Sequence, residues 1–189
     1  MKIGLYFGSF NPIHIGHLII ASYIADNSDV EKVWFVVSPQ NPHKSSNSLL
    51  NEYQRLHLVN IAIEGDTRFK ASNIEFTLPK PSYTIDTLTY LHEKYPNYDF
   101  EIIIGSDSIN NLHKWKNYDL LAKNYSFLVY ERPNFPINIS NEIKATILKA
   151  PLLDISSTQI RNYIKQSKSI SYLVPKMVEE DIIANGYYK

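Results

Sequence analysis

The run Ile3-Gly4-Leu5-Tyr6-Phe7, continued by Gly8-Ser9-Phe10-Asn11-Pro12-Ile13-His14-Ile15-Gly16-His17, decides how the rest of the chain is read. Its first five residues form an apolar run of the kind that makes a short buried strand. The Gly/Ser/Asn/Pro cluster then marks a tight turn. Leu18-Ile19-Ile20-Ala21-Ser22-Tyr23-Ile24-Ala25 follows, apolar and long enough to continue as a helix. The segment therefore predicts strand, turn, and a helix opening on His-x-Gly-His. A helix start presents unpaired N–H groups and a partial positive charge, which together favour a phosphate. Two imidazoles there add side-chain donors, and Gly16 between them lets a ligand approach the backbone closely. The stretch predicts a nucleotide phosphate site.

The chain has 189 residues, enough for one well-buried core, so residues 1–189 are read as a single domain. Nineteen basic and nineteen acidic residues give a formal charge of zero. That balance argues against a nucleic-acid partner, which asks for a basic excess, but permits one small polyanion held by local cations. No cysteine is present, which excludes disulfides, thiolate metal sites and cysteine nucleophiles. No apolar run reaches the ~20 residues of a membrane span. The N-terminus also lacks a basic segment followed by an unbroken apolar core, so a cytoplasmic location is expected. The four arginines, Arg55, Arg68, Arg132 and Arg161, stand out against fifteen lysines, because a guanidinium fork suits a bidentate phosphate. Exposure at the surface remains the expectation for any one of them.

Apolar, β-branched runs recur at Lys32 to Val37, Phe100 to Ile104 and Ser126 to Tyr130, with Leu152-Leu153-Asp154 expected as a last strand. Helical spacing is seen over Glu52 to Glu64, Thr84 to Tyr95 and Pro175 to Ala184, the last closed by Asn185-Gly186. Strands alternating with helices predict an α/β fold, a Rossmann-like, doubly wound parallel sheet with helices on both faces. Loop-like stretches at Ser38 to Ser48 and Arg132 to Asn141 each follow a strand, where such sheets place their ligand crevice. Neither Gly-x-Gly-x-x-Gly nor Gly-x-x-x-x-Gly-Lys-Ser/Thr occurs, so phosphate is held by another device.

A second candidate is Ile155-Ser156-Ser157-Thr158-Gln159-Ile160-Arg161. Ser157 or Thr158 is expected to cap a helix running to Ile164, with Arg161 one turn in. By itself this is an ordinary cap, just as His14-x-Gly-His17 by itself is an ordinary helix start. Two such starts in one chain, both armed with cations, point jointly to phosphate.

Gly-x-Phe-x-Pro-x-His-x-Gly-His near one end and Ile-Ser-Ser-Thr-x-Ile-Arg near the other resemble the nucleotidyltransferase superfamily. The middle of the chain narrows this. Pro42-His43-Lys44, Pro81-Ser82-Tyr83-Thr84-Ile85-Asp86-Thr87-Leu88, Ile104-Gly105-Ser106-Asp107-Ser108 with Leu112 and Trp115, and Tyr130-Glu131-Arg132-Pro133 resemble the bacterial nicotinate-nucleotide adenylyltransferases over essentially the whole length. Phe7 and Asn11 stand where that family often has glycine and aspartate, and Asn41 where it often has proline.

The resemblance implies a nucleotidyltransferase-type fold and transfer of AMP from ATP to nicotinate mononucleotide, with Mg²⁺ carried by ATP and no metal fixed by the protein. It assigns His14, His17, Lys44 and Arg161 as catalytic, and Gly8, Ser9, Phe10, His14, Gly16, His17, Gly105, Ser157, Thr158 and Arg161 to ATP. Lys44, Tyr83, Thr84, Asp107, Trp115 and Arg132 fall to the acceptor, with Trp115 stacked on the pyridine ring and N–H groups near Tyr83 and Thr84 receiving its carboxylate. Nicotinamide mononucleotide and phosphopantetheine are the alternative acceptors. A nucleotide-binding regulator without chemistry is the alternative from another class, and the presence of His14, His17 and Arg161 weighs against it. The sequence permits a homo-oligomer without requiring one.

Overall fold

A computed structural model describes residues 1–40 and 49–189. Six strands form one sheet: β1 (Lys2–Gly8), β2 (Lys32–Val37), β3 (Phe69–Ser72), β4 (Asp99–Gly105), β5 (Ser126–Tyr130) and β6 (Ala145–Leu148). Their spatial order is β3-β2-β1-β4-β5-β6, and every neighbouring pair is parallel. The helices are α1 (Ile15–Asn27), α2 (Glu52–Ala62), α3 (Thr84–Lys94), α4 (Ser106–Ile109), α5 (Tyr118–Asn124), α6 (Ser157–Lys165) and α7 (Lys176–Asn185). Short 3₁₀ turns occupy Ile74–Thr77 and Leu112–Lys114.

The two-residue alternation of the strands divides the core into two layers. Tyr6, Val33, Phe35, Ile103 and Leu128 point to one face, where they pack with Ala21 and Ile24 of α1, Leu58 and Val59 of α2, Ile160 of α6, and Val178 and Ile182 of α7. Leu5, Trp34, Val36, Ile102 and Phe127 point to the other, against Ile85, Leu88 and Leu91 of α3, Ile109 of α4 and Leu121 of α5. The sheet is thus buried on both sides, as the apolar runs predict. Strand β1 lies at the centre, hydrogen-bonded to β2 on one side and β4 on the other. The chain reverses its direction of winding between these two strands, and a crevice opens beyond their carboxyl ends.

Three details differ from the sequence expectation. Residues 152–154 form no strand: Pro151 offers no N–H to a ladder, and Leu152 is 59% exposed. The outer strands are instead β3 and β6, four residues each and partly polar, so neither stands out as an apolar run. The cap of α6 is Ser156, one residue earlier than expected, its Oγ accepting the Gln159 N–H at 3.2 Å. Helix α7 opens after Pro175 and ends where Gly186 turns left-handed at φ 64°, as Asn185-Gly186 implies.

Candidate active site

A cavity of about 650 Å³ lies over the carboxyl ends of β1 and β4. Its floor is the turn from β1 into α1. Gly8 ends the strand, and Phe10 folds back over it with φ at 43°, burying its ring to 2% exposure. A Cβ on Gly8 would stand 2.8 Å from that ring, so glycine here makes room for Phe10. The turn's carbonyls are bound from behind. Arg55 of α2 donates through Nη1 to Ser9 O at 2.6 Å, Arg161 of α6 to Asn11 O at 2.7 Å, and Ser157 Oγ to Pro12 O at 2.9 Å. Asn11 Oδ1 accepts the Leu50 N–H at 3.1 Å.

His14 caps α1, and its backbone N–H donates to Nδ1 of His17 at 3.3 Å. An accepting Nδ1 leaves the proton of the neutral ring on Nε2, making that nitrogen a donor. The two imidazoles stack at 3.7 Å between centroids, and the rings of Tyr6 and Phe10 meet His17 edge-on at 6.0 and 5.1 Å. His14 is 4% exposed; burial, with the nearby Arg132 charge, pushes its pKa down to about 4. It is therefore neutral at physiological pH. Gly16 serves His14 before any ligand, since a Cβ there would lie 3.0 Å from Nδ1 of the ring. It borders a small hollow beside the main cavity, and His14, His17 and Arg132 line both.

The start of α6 faces the start of α1 across this turn. Besides holding Asn11 O, Arg161 donates through Nη2 to Thr158 Oγ1 at 3.2 Å. Ser157, Thr158 and Arg161 all border the cavity beside His14, His17, Ser9 and Phe10. Residues separated by about 150 positions in the chain thus form one cluster.

The opposite wall is made by α3 and the segment after β4. Tyr83 is the N-cap of α3 and Thr84 its first residue, so the first N–H groups of that helix have no partner within it. Tyr83, Thr84 and Trp115 all border the cavity, Trp115 standing at the end of the 3₁₀ turn Leu112–Lys114. Lys116 follows it, with Nζ 4.8 Å from the Tyr83 ring centroid and 2.8 Å from Asp86 Oδ2. Between the two walls, Arg132 donates to Asp107 Oδ2 at 3.2 Å and its backbone N–H to Ser106 Oγ at 2.9 Å. A Cβ on Gly105 would stand 2.6 Å from Asp107 Oδ1 and 2.9 Å from Arg132 Cδ, so glycine is required for this pair to cross the strand end.

Apart from Gly16 and Lys44, every residue assigned from sequence to catalysis, ATP or the acceptor borders one cavity. Lys44 lies outside the described residues. The residue that sequence reasoning missed is Arg55. Expected at the surface, it is instead fully buried, donating to four carbonyls: Ser9, Ser38, Pro39 and Leu50. The signal was present, because Arg55 stands three and four residues before Leu58 and Val59, on the buried stripe of α2.

Residues 5–163 match the cytidylyltransferase-like family. A probable nicotinate-nucleotide adenylyltransferase of Cytophaga hutchinsonii is 53% identical, covering 100% of this chain and 98% of its own. The protein of the same name from Flavobacterium psychrophilum is 52% identical with both chains covered completely. Among solved structures, Plasmodium falciparum nicotinic acid mononucleotide adenylyltransferase complexed with NaAD superposes with a TM-score of 0.86 at 24% identity, over 99% of this chain and 97% of that one.

Proposed function

The chain belongs to the nicotinate-nucleotide adenylyltransferase family, and on that premise we propose that it transfers AMP from ATP to nicotinate mononucleotide, giving nicotinate adenine dinucleotide and pyrophosphate for NAD biosynthesis. The observation that carries this reading is the meeting of three helix starts at one cavity. Those of α1 and α6 bring His14, His17 and Arg161 to one wall, and that of α3 stands with Trp115 at the other.

The reaction is a direct in-line displacement. The 5′-phosphate of nicotinate mononucleotide attacks the α-phosphorus of ATP; the new P–O bond forms as the bond to the β-phosphate oxygen breaks. The attacking oxygen is already ionised, so neither a general base nor a protein nucleophile is required. Catalysis then consists of positioning and of stabilising charge. His17 donates from Nε2 to the phosphates, and His14 lines the same wall in its neutral form. Ser157, Thr158 and Arg161 hold the β and γ phosphates as they leave. The N–H groups at the start of α3 take the nicotinate carboxylate, and Trp115 stacks on the pyridine ring. Arg132 and Asp107 stand between the two substrates, and Lys44 supplies a further cation. Mg²⁺ enters as part of the MgATP substrate, where it neutralises charge on the leaving pyrophosphate. No described helix is long and apolar enough to cross a membrane, and we assign the reaction to the cytoplasm.

Two substitutions separate the halves of the site. His17→Ala lowers kcat by roughly 10²-fold or more while the protein stays folded. Trp115→Ala raises the KM for nicotinate mononucleotide and leaves the KM for ATP unchanged. Near wild-type turnover in His17→Ala overturns the phosphate role, and a Trp115→Ala effect confined to ATP overturns the pocket assignment.

A further inference from the structure

Glu75 is a buried acid that the displacement itself does not use. It stands in the 3₁₀ turn Ile74–Thr77 after β3, is 2% exposed, and borders the cavity. Ser82 Oγ donates to its Oε2 at 2.8 Å and Thr87 Oγ1 to its Oε1 at 2.9 Å, while the Ser38 hydroxyl is a third donor. Among the described residues no lysine or arginine pairs with it. Burial pushes its pKa up and the three hydroxyls pull it back. A buried carboxylate without a cation is costly, and this one is met by donors alone.

Those donors are distributed in a telling way. Ser82 precedes Tyr83 and Thr84, and Thr87 follows them by one helical turn. A carboxylate that grips both residues fixes the position and the tilt of the α3 start between them. Ser38 connects the same carboxylate to the end of β2, where Arg55 holds the Ser38 carbonyl at 2.8 Å. On the far side Lys116, anchored on Asp86, lies against the Tyr83 ring. The start of α3 is thereby clamped from below and from outside.

We propose that Glu75 is a positioning residue for acceptor recognition, whose carboxylate sets the direction of the N–H groups at the start of α3. The proposal rests on the reading that these N–H groups receive the acceptor's carboxylate. An ionised carboxylate suits the task because all its lone pairs accept, whereas a glutamine would present two N–H groups to hydroxyls that already donate. Thr87 Oγ1 has a competing acceptor in Tyr83 O at 3.3 Å, so loss of the carboxylate leaves it a different bond to make.

The test compares Glu75→Gln and Ser82→Ala with the wild type. KM for nicotinate mononucleotide and for ATP are measured separately, and nicotinate mononucleotide binding is measured by calorimetry without turnover. Glu75→Gln is expected to raise the acceptor KM and Kd roughly tenfold with the ATP KM unchanged, since small misplacements of binding groups have effects of this order. Ser82→Ala removes one hydroxyl and leaves the buried acid in place; it shifts the same two values in the same direction and carries the test if Glu75→Gln fails to fold. Equal changes in both KM values, or a lowered Tm with unchanged kinetics, overturn the proposal and leave the assigned reaction standing. A wild type that neither binds nor uses nicotinate mononucleotide overturns both.

Discussion

His17 is held on every side before any substrate arrives. Its Nδ1 takes the His14 N–H, its face stacks on His14, and Tyr6 and Phe10 meet its ring edge-on. Preorganisation of this kind lets a donor act on developing charge without reorganising. His14 supplies the packing, and its depressed pKa makes a testable mark on stability. As pH falls, the unfolded chain binds a proton at the ordinary value of 6.5, while the folded state resists until about 4. The contribution is therefore fully present above 6.5 and is lost progressively between 6.5 and 4. Denaturant unfolding should show about 2 kcal/mol less stability at pH 5 than at pH 7.5 from this residue. A His14→Asn variant should lack that share of the slope; an unchanged slope contradicts the buried, neutral assignment. The motif His14-x-Gly-His17 was plain in the sequence, but the part played by Gly16 was not. It depends on where the His14 ring lies, which no spacing reveals.

Helix α2 is the element whose importance grew most in the folded chain. Its Arg55 ties Ser9 after β1 to Ser38, Pro39 and Leu50, using a charge that, among the described residues, pairs with no carboxylate. Carbonyls suffice because four of them surround the guanidinium, although burial still lowers its pKa. Arg55→Met would leave those carbonyls unsatisfied and should cost about 3–5 kcal/mol, read as a lower denaturant midpoint at unchanged m-value. A loss below about 1 kcal/mol, the usual range for exposed substitutions, would contradict the clamp. Long helices and central strands were readable because their apolar periodicity is imposed by burial. Strands β3 and β6 were not, since each is short, lies at an edge and needs little apolar character. The misplaced last strand has the same origin: Leu152-Leu153 looks like a core run but sits in an exposed connection after Pro151.

Across the whole molecule, the strand order β3-β2-β1-β4-β5-β6 places the reversal of winding between β1 and β4. The crevice there collects side chains from the first turn, the middle and the last third of the chain. In the sequence the two terminal motifs are two cation-bearing helix starts that point jointly to phosphate, with no sign of how they meet. Their physical joining is a matter of Ser157 on Pro12 and Arg161 on Asn11, contacts between residues 145 and 150 positions apart. The zero net charge proved no obstacle, because the cations that matter are local. On the acceptor side, the start of α3 and Trp115 set the shape and polarity that the bound nucleotide must match. The most direct measurement is therefore a transfer assay with ATP labelled at the α-phosphate and Mg²⁺, run in parallel against nicotinate mononucleotide, nicotinamide mononucleotide and phosphopantetheine. The label should pass into a dinucleotide with nicotinate mononucleotide as the preferred acceptor, unlabelled pyrophosphate should appear in equal amount, and no label should remain on the protein. Label retained on the protein, released as free AMP, or moved to another acceptor in preference would contradict direct adenylyl transfer to nicotinate mononucleotide.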